Sequence, residues 1–322
     1  MEIKQLTEKA KKFLTKRNII IAFLIFVFLL IIFSASGKQK PLVWYVDEEL
    51  RDKWAQVLAE ILPSKKPAQI KVWDGLSFPA EASILISLKP WETEERVKVF
   101  SRLSWELEHE GAHALALDPW MIFNKNTNPS LTYNRVFTDT RGRGVLLIPG
   151  RDIKTVRAWT SRFIQEPPGS FPSDDVWVDW ETRLFDIGLF SSSMRGYDWS
   201  AVFFRLMSNE QAWLYAPSSA VRAYRDPRKT ILEASVFPEQ GSREASMLTS
   251  ILWARPIKSK SKKTSLLIDN TIDFLKKSET QTTIADKMEW IPADPYGTPY
   301  DPSSLTAHRA WLTTIWIYSI YN

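Results

Sequence analysis

The 322-residue chain contains no cysteine. That excludes disulfides, thiol nucleophiles, thiolate metal sites and the lipidated cysteine of a lipoprotein. Histidine is scarce too: only His109, His113 and His308 are present, so any imidazole site must draw on these. Glycine is thin, at 11 residues, and no Gly-rich phosphate loop or nucleophile elbow can be found. There is no internal repeat and no low-complexity segment. A basic surface is missing once the N-terminus is set aside. The formal charge of +5 comes mostly from residues 1–17, where Lys4, Lys9, Lys11, Lys12, Lys16 and Arg17 stand against Glu2 and Glu8. The remainder holds 36 basic and 35 acidic residues, which is not the electrostatic footprint of a nucleic-acid binder.

Long apolar runs are confined to one place. Residues 19–33 read IIIAFLIFVFLLIIF without a charge, and residues 18–36 match the roughly 17–25 positions that a membrane-spanning helix needs. The basic tail before it, against Lys38 and Lys40 after it, predicts the N-terminus in the cytoplasm and the rest of the chain exported. Ser34-Ala35-Ser36 would also serve as a cleavage site, so a removed signal peptide is the rival to an uncleaved anchor. The 17-residue basic region and the absence of helix breakers favour the anchor. The expected location is the cytoplasmic (inner) membrane, single-pass, with a periplasmic or extracellular domain.

Beyond the short tether, Leu42-Val43-Trp44-Tyr45-Val46 is β-rich and predicts a buried strand. Asp47 is placed to cap the helix that follows, in which Leu50, Trp54, Val57, Leu58, Ile61 and Leu62 repeat at three- and four-residue spacing. Strands are expected at 69–73 and 82–88, a helix at 92–108 and a further strand at 115–123. This order predicts an α/β lobe with a largely parallel sheet. Helices follow at 153–163 and 175–184, strands at 231–237 and 247–254, and helices at 265–276, 278–288 and 307–321. Ser278 and Gln281 have the spacing of a capping box.

Several strings resemble bacterial extracellular solute-binding proteins. Ala114-Leu-Ala-Leu-Asp-Pro-Trp-Met-Ile-Phe-Asn-Lys is similar to the strand that crosses from the first lobe to the second. Glu210-Gln211-Ala212-Trp213-Leu214 resembles a strand near the cleft, and Ser235-Val236-Phe237-Pro238 the strand that crosses back. Trp253-Ala-Arg-Pro-Ile-Lys-Ser-Lys-Ser-Lys-Lys, Ile272-Asp273-Phe274-Leu275, Ser278-Glu279-Thr280-Gln281 and Trp290-Ile291-Pro292-Ala293 follow the family's order and spacing.

The resemblance implies an α/β, two-lobed type II periplasmic-binding-protein-like fold with crossing strands. Lobe 1 would be residues 37–118 and 239–289, and lobe 2 residues 119–238 and 290–322. It further implies non-catalytic binding of a small solute, a carbohydrate in the reading adopted here, and delivery to a membrane importer of the ABC type. No cofactor is expected. Asn209 and Glu210 stand where the family has glycine, and the chain runs only some 30 residues past Ala293. Those departures support a second reading, a structural or assembly protein that kept the fold and lost its ligand.

Fifteen tryptophans make aromatic stacking the obvious recognition chemistry. Tyr45, Trp73, Trp120, Trp213, Tyr215 and Trp253 are the candidate ligand-binding aromatics, with Asp74 and Asp118 as acceptors for sugar hydroxyls. Core packing for the aromatics and turn capping for the aspartates are the competing explanations. His109-Glu110-Gly111-Ala112-His113 also spells the helical zinc-peptidase string. Gly111 disfavours that helix, the crossing strand begins immediately after, and with His308 the only other histidine a third ligand would be a distant carboxylate such as Glu166 or Glu181. A turn before the strand is the preferred reading.

Overall fold

The structure, a computed structural model, describes residues 42–62, 68–89, 107–125, 146–161, 174–186, 195–209, 212–224, 230–237, 247–258 and 261–321. The predicted basic tail and membrane span lie outside these residues, as does most of the helix expected at 92–108. No helix among the described residues is long and apolar enough to cross a membrane.

Short β-branched and aromatic segments build the first sheet. β1 (Val43–Val46) pairs in parallel with β2 (Gln69–Val72) on one side and with β3 (Ser83–Lys89) on the other. Next to β3 lies β8 (Thr249–Ile257), running antiparallel, and beyond it β4 (His113–Asn124). The sheet is therefore mixed. Its parallel core is the expected one, but the late strand β8 inserts between β3 and β4 against their direction. Period-2 patterning sends Trp44, Val46, Ile84, Ile86, Leu252 and Ala254 to one face. That face is covered by α1 (Arg51–Ile61), α6 (Lys262–Leu275) and α7 (Ser278–Met288).

β4 is long enough to belong to two sheets. Its first half pairs with β8 and with β9 (Ile291–Pro292). Its second half, from Trp120, pairs with β6 (Trp213–Pro217) and β7 (Glu233–Ser235), and β5 (Leu146–Leu147) adds in parallel to β6. On one side of this second sheet Trp120, Ile122, Trp213 and Tyr215 pack with α2 (Ile153–Ser161) and α3 (Asp174–Asp186). On the other, Met121, Phe123, Leu214 and Ala216 pack with α4 (Trp199–Ser208), Val221 of α5 (Ser218–Ala223) and Trp311 of α8 (Pro302–Tyr321).

Two local expectations yield to tertiary contacts. The Asp47 side chain makes no helix-cap hydrogen bond; its carboxylate accepts from Ser87 Oγ at 2.7 Å and Leu88 N at 2.9 Å and ties β1 to β3. The Ser278–Gln281 box does not form either. Lys277 is the N-cap, Ser278 Oγ donates to Asp294, and the Gln281 amide bridges Ala114 O and Asp294 N.

Candidate functional site at the strand C-termini

β1, β2, β3 and the first half of β4 run in one direction, so their C-terminal ends share a rim that carries Asp47, Trp73, Lys89 and Asp118. β5 and β6 run the opposite way to β4, and their C-terminal ends return to the same crossover, with Pro217 opposite Trp120. Open α/β sheets bind ligands at such carboxyl ends.

On the sheet face that leads to this rim, the register gathers three of the nominated aromatics. The Trp73 ring meets Trp253 edge-on at 6.5 Å and stacks on Phe78 at 6.3 Å. Its backbone N–H donates to Val46 O and its indole N–H to Ser77 O, both at 2.8 Å, which fixes the ring. Tyr45 lies on the same sheet face, one strand over. Its hydroxyl donates to Glu81 Oε1 at 2.6 Å, and Lys71 pairs with the same carboxylate. That hydrogen bond, followed by burial, raises the Tyr45 pKa. Phe78 and Arg255 complete the cluster, the guanidinium 4.1 Å from the ring centre and 3.9 Å from Glu110. Trp253 Nε1 is buried without a hydrogen-bond partner among the described residues. Phe78, Glu81, Lys71 and Arg255 were not legible as site residues, because only strand register brings them to Tyr45 and Trp73.

Both nominated aspartates accept hydrogen bonds from within the chain. Asp74 Oδ1 accepts from Leu76 N at 3.0 Å and Ser77 N at 3.4 Å, closing the turn after β2. Asp118 accepts from Ser218 Oγ at 3.0 Å and from Ser219 N and Oγ at 2.9 and 2.7 Å, joining β4 to the start of α5. Burial still pushes its pKa up against those bonds.

Trp120, Trp213 and Tyr215 stand apart from the first-rim group. They are packed in the core of the second sheet, with Tyr215 fully covered by Trp159 and Phe237. The aromatic on the second rim is instead Trp199. Its indole N–H donates to Asp152 Oδ2 at 3.1 Å, and with Pro149, Arg151, Ile153, Lys154 and Asp198 it lines a hollow of about 450 Å³. Sequence patterning missed it because strand β5, which aims this loop at the rim, is only two residues long.

The zinc string does not form a zinc helix. The helical turn at 107–109 closes through Gly111 N to Glu108 O and Ala112 N to Leu107 O, with Gly111 at φ +70°. His113 is already the first residue of β4, so the two histidines do not share a helical face. Among the described residues no group of three His, Asp or Glu side chains is placed to hold a metal.

No family model and no curated protein matches the sequence. Solved structures do match. One is the bacterial solute receptor AcbH, described as having an exclusive preference for β-D-galactopyranose (12% identity, TM-score 0.53, 84% of this chain and 85% of that one). A second is an extracellular solute-binding protein from Staphylococcus aureus in complex with maltose (11%, 0.52, 85% and 86%). A third is a cyclic α-maltosyl-1,6-maltose binding protein from Arthrobacter globiformis (11%, 0.50, 84% and 86%). The chain thus has the mixed α/β fold of bacterial extracellular solute-binding proteins.

Proposed function

We propose that this protein is a membrane-tethered, extracytoplasmic receptor that binds a carbohydrate without transforming it and delivers it to a membrane importer. Binding is by closure of two lobes, residues 37–118 with 239–289 and residues 119–238 with 290–322, over the shared rim. Residues 18–36 supply the anchor. The observation that carries this reading is the placing of the part-exposed Tyr45 and Trp73 on one sheet face beside the buried Trp253, where flat aromatic faces suit sugar rings. The fold supports it, since proteins of that fold take β-D-galactopyranose and maltose.

A non-binding scaffold is the second reading, and one contact favours it. Arg222 Nη2 on α5 donates to Asp286 O at 2.9 Å and Oδ1 at 2.7 Å on α7, which bolts the second sheet's β6–α5 corner to the helical layer of the first. Thermal unfolding of the full chain in detergent, against a panel of mono- and oligosaccharides, separates the two. A ligand at a hundred times its Kd stabilises the native state by about 2.7 kcal/mol. A selective rise in Tm with one sugar class supports the receptor. A flat response to every sugar supports the scaffold.

A further inference from the structure

We infer that the hollow at Trp199 is a subsite for an acidic sugar, with Arg151 and Lys154 receiving the carboxylate of a uronic acid. The inference rests on the carbohydrate reading above and narrows it to a charged class.

Trp199 is built as a platform. Asp152 holds its indole N–H at 3.1 Å. Phe203, one turn on, stacks behind it at 5.9 Å and 28°, and Phe203 in turn lies flat on Tyr224 at 3.9 Å and 5°. A ring locked on one edge and backed on one side loses little freedom when a sugar ring covers it. The hollow's size lies within the range of small-molecule sites.

The charges around it are unequal in availability. Asp152 spends Oδ1 on Lys154 N and Thr155 N, at 3.0 and 3.4 Å, and Oδ2 on Trp199. Asp198 Oδ1 accepts from Ala201 N at 2.8 Å. Each carboxylate thus caps a helix start, where the backbone N–H groups offset its negative charge. Arg151 and Lys154 line the same hollow, both are exposed, and neither is engaged in an ion pair among the described residues. The groups left to meet a ligand are therefore an aromatic face, two cations and one oxygen, Oδ2, of the helix-capping Asp198. A neutral sugar would meet the cations only through hydrogen bonds to its hydroxyls, whereas a uronate adds a carboxylate beside its ring as a counter-charge, which a guanidinium binds in bidentate fashion.

Calorimetric titration of the full chain in lipid nanodiscs with D-glucuronate against D-glucose, and D-galacturonate against D-galactose, tests this. At least one uronate is expected to bind ten times or more tightly than its neutral partner, and only the uronate should weaken as salt rises. Arg151→Met/Lys154→Met should abolish that preference with an unchanged Tm. Trp199→Phe should weaken uronate binding several-fold, and Trp199→Ala further. Neutral sugars binding as tightly as uronates would sink the inference and leave the carbohydrate reading standing. A uronate preference that survives the double variant would overturn it by placing the charge recognition elsewhere. If none of these four sugars binds, the inference fails, and the fate of the carbohydrate reading rests on the wider thermal panel.

Discussion

At Gly297 a single methyl group matters. A Cβ there would lie 2.8 Å from Pro292 Cβ and 3.2 Å from Thr282 Oγ1, closer than packed atoms tolerate. Gly297→Ala is expected to cost about 1–3 kcal/mol, as overpacking does, read as a shift in the denaturation midpoint. His308 sets a second residue-level expectation. It is buried, its Nε2 has no partner among the described residues, and burial lowers its pKa; burial and then Lys276 do the same at His113. With folded values below the ordinary one of about 6.5, the unfolded chain takes up protons first as pH falls, so both histidines withdraw stability on acidification. Asp47 and Asp118, raised mainly by burial, act in the other direction. Their stabilising contribution is complete below the ordinary carboxylate range and is lost as pH rises through their folded values. Stability measured from about pH 7.5 down to about pH 5.5 should therefore fall less in His308→Gln than in the parent.

Among the elements, α7 shows how context overrides local patterning. Its sequence has a capping box, yet Ser278 and Gln281 are drawn to Asp294 and Ala114, where they pin the segment after β9 to the first sheet. Its other end is strained. Glu289 stops the helix at φ 64°, a left-handed conformation that most helix ends reserve for glycine. Glu289→Gly is expected to raise stability by roughly 0.5–1 kcal/mol. The half-exposed 3.6 Å contact to Lys53 that it removes is worth little. A chemical denaturation curve with unchanged slope and a higher midpoint would bear this out; a lower midpoint would mean that the ion pair outweighs the backbone strain. Helix and strand identities were mostly legible: β1, α1, β2, β3, β4, α2, α3, β8, α6, α7 and α8 lie where periodicity puts them. α4 and β5 were not, because an aromatic-rich ten-residue helix and a two-residue strand carry too little period to register.

For the whole molecule, orientation in the membrane is the largest untested expectation, and the absence of cysteine makes it accessible. Single cysteines can be placed without background at Lys9 and Lys40, on either side of residues 18–36. A membrane-impermeant maleimide applied to spheroplasts is expected to label Lys40→Cys and to reach Lys9→Cys only after permeabilisation. Equal labelling of both in intact spheroplasts would reject the single-span topology. The two-sheet architecture also explains how one strand serves two roles. β4 pairs in the first sheet as far as Pro119 and in the second from Trp120, and Asp118 and Trp120, on either side of that switch, are nominated by the sequence as ligand contacts. Asp118 instead ties β4 to α5, while Trp120 fills the second core.

Composition and periodicity alone determined what is a matter of local chemistry. Residues 18–36 have the length and apolarity expected of a membrane span, the absence of cysteine rules out thiol chemistry, and alternating or helical hydrophobic spacing specifies which way each segment coils. Tyr45 and Trp73 were legible as aromatics close to strand ends, since strand ends show in the pattern. Tertiary structure alone decided which aromatics share a sheet face and which are covered. That depends on β8 inserting antiparallel beside β3 and on β4 changing sheets, both pairings between residues far apart in sequence. A tryptophan carries the same side chain in a core as in a cleft; only the strand register around it separates Tyr215, sealed by Trp159 and Phe237, from Trp199 beside an open hollow.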